Sequence, residues 1–236
     1  MKELLRGLLM PLKRGLERLG LWQLAAPLYR ATLGHALATQ HGHAILVKTI
    51  RAMHGPDDLK GRVMIEIGST REELHGQGST AYLADFCKAH GMHFITVDMD
   101  PENTQAARET LARRNAGFEA VNGQGELFLA GYAGPVDFLY LDAFDIDHGK
   151  HSAARQEKYR AHLGAEINDQ ACWQMHLDAA QAILGKTGQG SVIAFDDTWR
   201  DGRGGWLGKG RDAIPLLLNN GFAVRDVTDM TVSLSA

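Results

Sequence analysis

Cysteine, long apolar runs and surplus positive charge are all scarce in this sequence. The 236 residues include two cysteines, Cys87 and Cys172, which lie far apart and each fall within a predicted helix. This spacing indicates neither a disulfide framework nor a zinc site, and it predicts a reducing, cytoplasmic environment. No stretch approaches the roughly 20 apolar residues that a membrane-spanning helix needs. We therefore expect neither a disulfide-stabilised secreted domain nor an integral membrane protein.

The charge balance is close to neutral. The 25 Lys and Arg residues stand against 28 Asp and Glu residues, which gives a formal net charge of −3. Because nucleic-acid binding normally requires a basic surplus or stripe, we expect no nucleic-acid partner. The one local bias is a basic, leucine-rich segment over residues 2–19. Its pattern is that of an amphipathic helix, which packs on its own domain, packs on a second copy in a homo-oligomer, or contacts an anionic membrane surface.

Two regions of the chain differ in their patterns. Residues 1–58 predict a helical extension, whereas residues 59–236 alternate short apolar runs with helical segments and predict one sheet domain. The predicted strands are Val63–Ile67, His93–Val97, Phe118–Val121, Val136–Leu141, Ser191–Phe195, Phe222–Asp226 and Thr231–Leu234. The linker between the last two is too short for a parallel crossover, so they predict an antiparallel hairpin. The expected fold class is α/β, with a doubly wound, mostly parallel, seven-stranded sheet closed by that hairpin.

A glycine-containing turn follows the first predicted strand, where open α/β sheets bind their ligands. The sequence there reads Glu66-Ile67-Gly68-Ser69-Thr70, and Gly78-Ser79-Thr80 then opens a helix. Glycines permit close approach of the backbone to a ligand, and a helix N-terminus offers unpaired N–H groups. The same glycines are also compatible with ordinary turns, so the motif needs support from neighbouring strands.

Asp98, at the end of the second predicted strand, supplies that support. A carboxylate at this place accepts hydrogen bonds from the two hydroxyls of a ribose, and its distance from Gly68 suits a βαβ unit with a lengthened loop. Asp100 stands directly before Pro101 and is suited to cap the next helix. This assignment leaves Asp98 for a ligand.

Three aspartates follow the fourth and fifth predicted strands: Asp142, Asp196 and Asp197. Because these strand ends are expected to be neighbours, the carboxylates should converge, and they repel one another unless a cation or a shared proton intervenes. Mg²⁺ suits such a place because it binds through a few carboxylates and keeps positions open for substrate oxygens. The pattern therefore predicts a magnesium site that orients and activates an acceptor hydroxyl.

Together these motifs resemble those of class I S-adenosylmethionine-dependent methyltransferases, over about residues 63–222. The stretches 141–145 (LDAFD) and 195–199 (FDDTW) are similar to the metal-dependent macrocin-type and catechol-type O-methyltransferases. The resemblance implies S-adenosylmethionine and Mg²⁺ as cofactors, and methyl transfer to a hydroxyl of a small polar acceptor, a saccharide or another natural product. The implied cofactor-binding residues are Glu66, Gly68, Ser69, Gly78, Ser79, Asp98, Gln124 and Asp142. The implied metal ligands are Asp142, Asp196 and Asp197.

A general base must take the proton of the acceptor. His148 is the leading candidate because histidine titrates near neutrality, and Asp145 and His151 are the alternatives. The glycine-rich stretch 199–210 predicts a lid that closes over the acceptor, with aromatic faces for a sugar ring and cations for anionic groups. The side chains expected to do this are Trp199, Trp206, Arg200, Arg203 and Lys209.

Two other interpretations remain open. In metal-free relatives the acid after the fourth strand contacts the cofactor amine, so a metal-independent methyltransferase with His148 as base is compatible with the same residues. The other is a non-catalytic protein that uses this fold for interaction and is held in an oligomer or at a membrane by residues 1–58. A nicotinamide-dependent dehydrogenase is disfavoured by the terminal hairpin.

Overall fold

A computed structural model describes residues 41–69, 78–114, 116–146, 153–228 and 230–236. The basic N-terminal segment, most of the loop between Gly68 and Gly78, and the candidate bases His148 and His151 lie outside these ranges. Within them, no helix is both long and apolar enough to cross a membrane.

Strands and helices alternate along the described chain. The strands are β1 (Val63–Ile67), β2 (His93–Asp98), β3 (Glu119–Asn122), β4 (Phe138–Leu141), β5 (Val192–Phe195), β6 (Thr198–Arg200), β7 (Trp206–Gly208), β8 (Ala223–Val227) and β9 (Val232–Ser235). The helices are α1 (Gly42–Met53), α2 (Ser79–His90), α3 (Pro101–Ala112), α4 (Gly125–Gly131), α5 (Ala153–Leu163), α6 (Asp169–Ile183) and α7 (Ala213–Asn219), with a short 3-10 helix at Pro56–Leu59.

Seven of these strands form one sheet in the order β3-β2-β1-β4-β5-β9-β8. The first five are parallel, and β9 runs antiparallel between β5 and β8. The chain leaves β1 toward β2 on one side and later returns to β4 on the other. The strand order therefore reverses between β1 and β4, which is where such sheets bind ligands. The predicted fold class, with its terminal antiparallel hairpin, is confirmed.

Helices cover both faces of the sheet, which explains why the central strands are continuously apolar. All residues of β4 and β5 are buried, as expected for parallel strands packed on both sides. One core cluster joins β1 and β4 to α1 and α2 through residues such as Met64, Ile50 and Leu83. The other joins the opposite face to α4, α6 and α7, with Ile65 and Met175 among its members.

Residues 41–236 form one compact unit. Helix α1 belongs to it, because Leu46, Val47 and Ile50 are almost fully buried in the core cluster on its face of the sheet. The sequence pattern had placed α1 in the extension that ends at residue 58.

The predicted lid contains a hairpin. Strands β6 and β7 pair antiparallel, with Thr198 opposite Gly208. Gly208 has φ +81°, and a Cβ there would lie 1.9 Å from the carbonyl oxygen of Asp197, so the hairpin returns against the end of β5 only with glycine at this position. The helical stretch between β4 and β5 ends its first half at Leu163, and the next residue, Gly164, has φ +71°.

Candidate active site

The carboxyl ends of β1, β2 and β4 meet so closely that one position requires glycine. Gly68 has φ +94°, and a Cβ there would lie 2.5 Å from the carbonyl oxygen of Asp142. Its backbone N–H donates to the carbonyl of Val97 at 2.9 Å. The turn after β1, which the sequence predicts to bind the cofactor, is thus held between β2 and β4.

Glu66, on β1, is fully buried. Its Oε2 accepts hydrogen bonds from the hydroxyls of Thr80 (2.7 Å) and Thr96 (2.6 Å), while its Oε1 is buried with no hydrogen-bond partner in the described part of the chain. Burial raises the pKa of Glu66 to about 7, against the lowering effect of hydrogen bonds from Ser79, Thr96 and Thr80. The carboxyl group ties the first turn of α2 to β1 and β2. Its predicted contact with the cofactor stays a prediction.

Asp98 closes β2 and is held in one orientation by the backbone. Its Oδ2 accepts the N–H of Ser69 at 2.9 Å, and its Oδ1 accepts the N–H of Asp100 at 2.8 Å and the side-chain amide of Asn103 at 3.2 Å. The β1 turn and the carboxylate that is expected to bind ribose are therefore directly connected. Asp100 accepts the N–H of Glu102 and caps α3, as predicted.

Gln124 and Gly78 precede helices at the same edge of the sheet. Gln124 stands directly before α4 and is half-buried, and Gly78 stands directly before α2. The residue after Gln124, Gly125, approaches β1 so closely that a Cβ would lie 2.1 Å from Cγ2 of Ile67. Helix α4 consequently begins next to the β1 turn. The assignment of Gln124 to the cofactor stays a prediction.

A lysine separates two of the three predicted metal ligands. The Nζ atom of Lys209 lies 2.6 Å from Oδ1 of Asp142 and 3.1 Å from Oδ2 of Asp197. The lysine side chain is 2% exposed, whereas those of Asp142 and Asp197 are 31% and 35% exposed. The ammonium group thus lies behind the two carboxylates, which face the outside of the sheet edge.

Asp196, the third predicted ligand, is engaged elsewhere. Its Oδ2 accepts the hydroxyl of Tyr140 at 2.8 Å, and its Oδ1 accepts the hydroxyl of Thr231 at 2.8 Å. The three predicted metal ligands therefore do not converge on one point in this structure: two pair with Lys209, and the third accepts two hydroxyls. The intervening cation is Lys209, and no group of three or more His, Cys, Asp or Glu side chains in the described ranges is placed to hold a metal ion. These residues do not fit a divalent cation.

The charges of this cluster stabilise one another. Burial by itself would lower the pKa of Lys209, but Asp142, Asp197 and Asp196 together raise it well above its ordinary value. Burial raises the pKa of Asp142 to about 6, opposed by Lys209 and assisted by Asp196 and Asp197. The ammonium group is therefore charged at neutral pH, and it offsets the repulsion between the carboxylates.

The backbone is strained where β4 and β5 end. Phe144 (φ +55°) and Asp197 (φ +43°) are the two non-glycine residues with left-handed conformations among those described. Phe144 lies two residues after Asp142, and Asp197 is itself one of the three aspartates. Strained residues of this kind persist only where the surroundings hold them, and they cluster at functional sites.

Asp145, an alternative base, is paired within the protein. Its Oδ2 accepts the hydroxyl of the buried Tyr159 at 2.9 Å and lies 3.1 Å from Nε of Arg155. The backbone N–H of Asp145 donates to the same Tyr159 hydroxyl. Asp145 is therefore held by Tyr159 and Arg155 rather than turned freely toward a ligand.

The start of α1 brings histidines to the site, and the sequence interpretation missed them. The rings of His41 and His43 stack at 5.4 Å, and His43 lies 4.9 Å from the ring of Tyr82 and 6.2 Å from that of Tyr140. Burial, and next the neighbouring His41, lower the pKa of His43 to about 4, so it is neutral at pH 7. The adjacent Gly42 is so close to Asp196 that a Cβ would lie 2.5 Å from its Oδ1.

The side chains of the predicted lid are divided between the surface and the interior, and Lys209 is the one that departs from the prediction. The guanidinium of Arg200 stacks 4.3 Å above the ring of Trp206, an arrangement that presents a joint cationic and aromatic surface. Lys209, expected to meet anionic groups of a ligand, is instead buried against Asp142 and Asp197.

Three solved structures have a similar fold at low sequence identity. TrmN from Thermus thermophilus is 14% identical, with a TM-score of 0.50, over 88% of this chain and 53% of TrmN. The T. thermophilus 16S rRNA N2 G1207 methyltransferase RsmC, in complex with AdoMet and guanosine, is 14% identical, with a TM-score of 0.51, over 82% of this chain and 42% of RsmC. SMU.1697c from Streptococcus mutans, in complex with SAH, is 13% identical, with a TM-score of 0.51, over 84% of this chain and 98% of its own.

This chain thus spans about half the length of TrmN and less than half that of RsmC. No protein-family model and no curated protein matches the sequence. At these identities the similarity establishes the architecture, and the chain has the seven-stranded fold of class I methyltransferases.

Proposed function

We propose that this protein transfers a methyl group from S-adenosylmethionine to a hydroxyl of a small polar acceptor, without a divalent metal ion. The observation that carries the proposal is the connected edge of β1, β2 and β4. There Gly68 approaches the backbone of Asp142, and the next residue, Ser69, donates to Asp98. This is the switch point of the sheet, where a nucleoside cofactor is expected.

Three groups at this edge suit the cofactor. Asp98 would accept the ribose hydroxyls, the turn at Gly68 and Ser69 would lie along the methionine portion, and the carboxylate of Asp142 would pair with its ammonium group. RsmC and SMU.1697c were solved with AdoMet and SAH, which supports the same ligand class here. When bound, the cofactor supplies a sulfonium methyl group that is already electrophilic, so the protein contributes mainly alignment.

The charge of the site favours a neutral or cationic acceptor over a polyanion. Asp98, Asp142 and Asp197 all lie at this edge, and Lys209 is buried between two of these carboxylates. A phosphate group close to Asp197 would meet an uncompensated carboxylate oxygen. A second hydroxyl of the acceptor would instead donate a hydrogen bond to that oxygen and so position the attacking hydroxyl. His148 remains the proposed base for the proton of the attacking hydroxyl.

Transfer of a radioactive methyl group from S-adenosylmethionine tests the proposal. Purified protein is incubated with neutral saccharides and polyols, or with ribosomal RNA, each with and without EDTA. We expect label in a neutral hydroxyl compound, in equal amounts with EDTA, and loss of at least about tenfold in Asp142→Asn. The exposed Asp57→Asn, in the 3-10 helix before β1, should retain full transfer.

Label found in RNA alone would contradict the proposal of a small polar acceptor. Transfer that EDTA abolishes would contradict the proposal that no metal ion is needed. Absence of both transfer and cofactor binding would favour the non-catalytic interaction protein. For the basic segment 2–19 we retain the proposal of a helix that packs on the domain or a second copy, or contacts a membrane surface, in a cytoplasmic protein.

A further inference from the structure

The position between Asp142 and Asp197 has the geometry of a cation site with a lysine in it. One carboxylate oxygen from each residue lies within 3.1 Å of a single point, the Nζ atom of Lys209. Oxygen ligands lie roughly 2.0–2.6 Å from Mg²⁺ or Ca²⁺. Movements of about an ångström or less would therefore bring both oxygens to a divalent ion at that point.

The hairpin builds the lysine into this position. Gly208 lets the chain pass directly against the carbonyl of Asp197, and the backbone N–H of Lys209 donates to the same carbonyl at 3.0 Å. The following residue, Gly210, donates its N–H to the hydroxyl of Thr198 at 2.9 Å. A buried ammonium group is costly unless it is paired, so backbone placement and two carboxylates are both needed to keep it there.

Two oxygens of the cluster accept no hydrogen bond from the described residues, namely Oδ2 of Asp142 and Oδ1 of Asp197. Both side chains are about one-third exposed. The lysine thus holds each carboxylate by one oxygen and leaves the other for a ligand. A metal ion at the Nζ position would likewise bind one oxygen of each carboxylate and leave the other oxygen for a ligand.

We propose that Lys209 takes the place of a divalent metal ion, as a fixed internal cation that joins Asp142 to Asp197 and makes the site independent of metal. Its role is that of a positioning residue, and only its link to methyl transfer rests on the proposed function. Truncation of the lysine should uncover a site for a divalent cation, because it leaves two carboxylates facing a vacated position.

Mn²⁺ titration followed by electron paramagnetic resonance tests this directly, because bound Mn²⁺ loses its free-ion signal. The unchanged full chain should show no Mn²⁺ binding that is lost in Asp197→Asn. Lys209→Ala should bind about one Mn²⁺ per chain. Lys209→Met fills the space without charge and should bind none. The double variant with Asp197→Asn should lose the ion again. The exposed Lys60→Ala should behave like the unchanged chain.

Thermal unfolding with and without Mn²⁺ provides a second readout. Mn²⁺ should raise the midpoint of Lys209→Ala but not that of Lys209→Met, a difference that a merely structural role would not produce. If Lys209→Ala does not fold, Mn²⁺ titration of the unchanged chain and of Asp197→Asn still tests the proposal. Mn²⁺ bound by the first and lost in the second would overturn the proposal, and so would a folded Lys209→Ala that binds no ion.

The metal titration needs neither cofactor nor acceptor, so its failure is distinguishable from failure of the proposed function. If methylation is found and also requires EDTA-sensitive metal, Lys209 does not replace the ion. If no methylation is found but Lys209→Ala gains the site, the inference stands on its own. With the proposed function in place, Lys209→Ala should raise the Kd for S-adenosylhomocysteine about tenfold, and Lys209→Arg should restore part of the loss.

Discussion

The buried Glu66 should make the stability of the fold depend on pH in a way that one substitution removes. Burial raises the pKa of Glu66 from 4.5 to about 7. A carboxyl group with a raised pKa in the folded state contributes stability that is fully present below pH 4.5 and is lost as the pH rises through about 7. At about 1.4 kcal/mol for each pH unit between these values, the loss amounts to about 3 kcal/mol by pH 9.

Glu66→Gln removes the titration but keeps an oxygen that accepts the hydroxyls of Thr80 and Thr96. We expect Glu66→Gln to gain about 3 kcal/mol relative to the unchanged chain between pH 4.5 and pH 9. Urea unfolding followed by tryptophan fluorescence at a series of pH values measures the difference.

Titrating groups that do not interact with Glu66, such as His43, are common to both proteins and cancel in the comparison. Glu119→Gln, an exposed substitution on β3, is the matched control and should leave the pH dependence unchanged. Parallel stability curves for Glu66→Gln and the unchanged chain would refute the reasoning.

Two substitutions, with Gly61→Ala as a control for the first, test the contacts at the strand ends. Gly68→Ala combines φ +94° with a Cβ 2.5 Å from the carbonyl oxygen of Asp142, so it should lower the free energy of unfolding by about 2 kcal/mol or more. Gly61→Ala, at φ +77° with open space around the Cβ, should cost about 1 kcal/mol, and equal losses would contradict the steric argument. Tyr140→Phe removes the hydroxyl that donates to Asp196 and should lower the free energy of unfolding by about 1–3 kcal/mol in the same urea assay. An unchanged free energy of unfolding would contradict this expectation.

The sheet was predictable because its central strands are buried on both faces. Short apolar runs marked β1, β4 and β5, a glycine turn followed β1, and the short linker before the last strand forced the antiparallel end. The cap at Asp100 and the helix end at Gly164 follow from local backbone preferences. These are effects of neighbouring residues, which a sequence displays directly.

The identity of the cation was not predictable in the same way. Repulsion among the aspartates indicated that a positive charge was needed, but Lys209 lies 67 residues from Asp142. It reaches the carboxylates through a hairpin whose formation depends on contacts with the end of β5. The histidines at the start of α1 were missed for a related reason. Their place beside Tyr140 depends on the packing of α1 against the sheet, and the sequence pattern had assigned that helix to the extension.

Calorimetric titration with S-adenosylhomocysteine at neutral pH tests the central claim most directly. We expect about one molecule bound per chain, and Asp98→Ala should weaken binding at least about tenfold while the protein stays folded. Asp57→Ala, an exposed acid near the opposite ends of the strands, should bind like the unchanged chain. Absence of binding, or equal affinity in Asp98→Ala, would contradict a cofactor site at the junction of β1, β2 and β4.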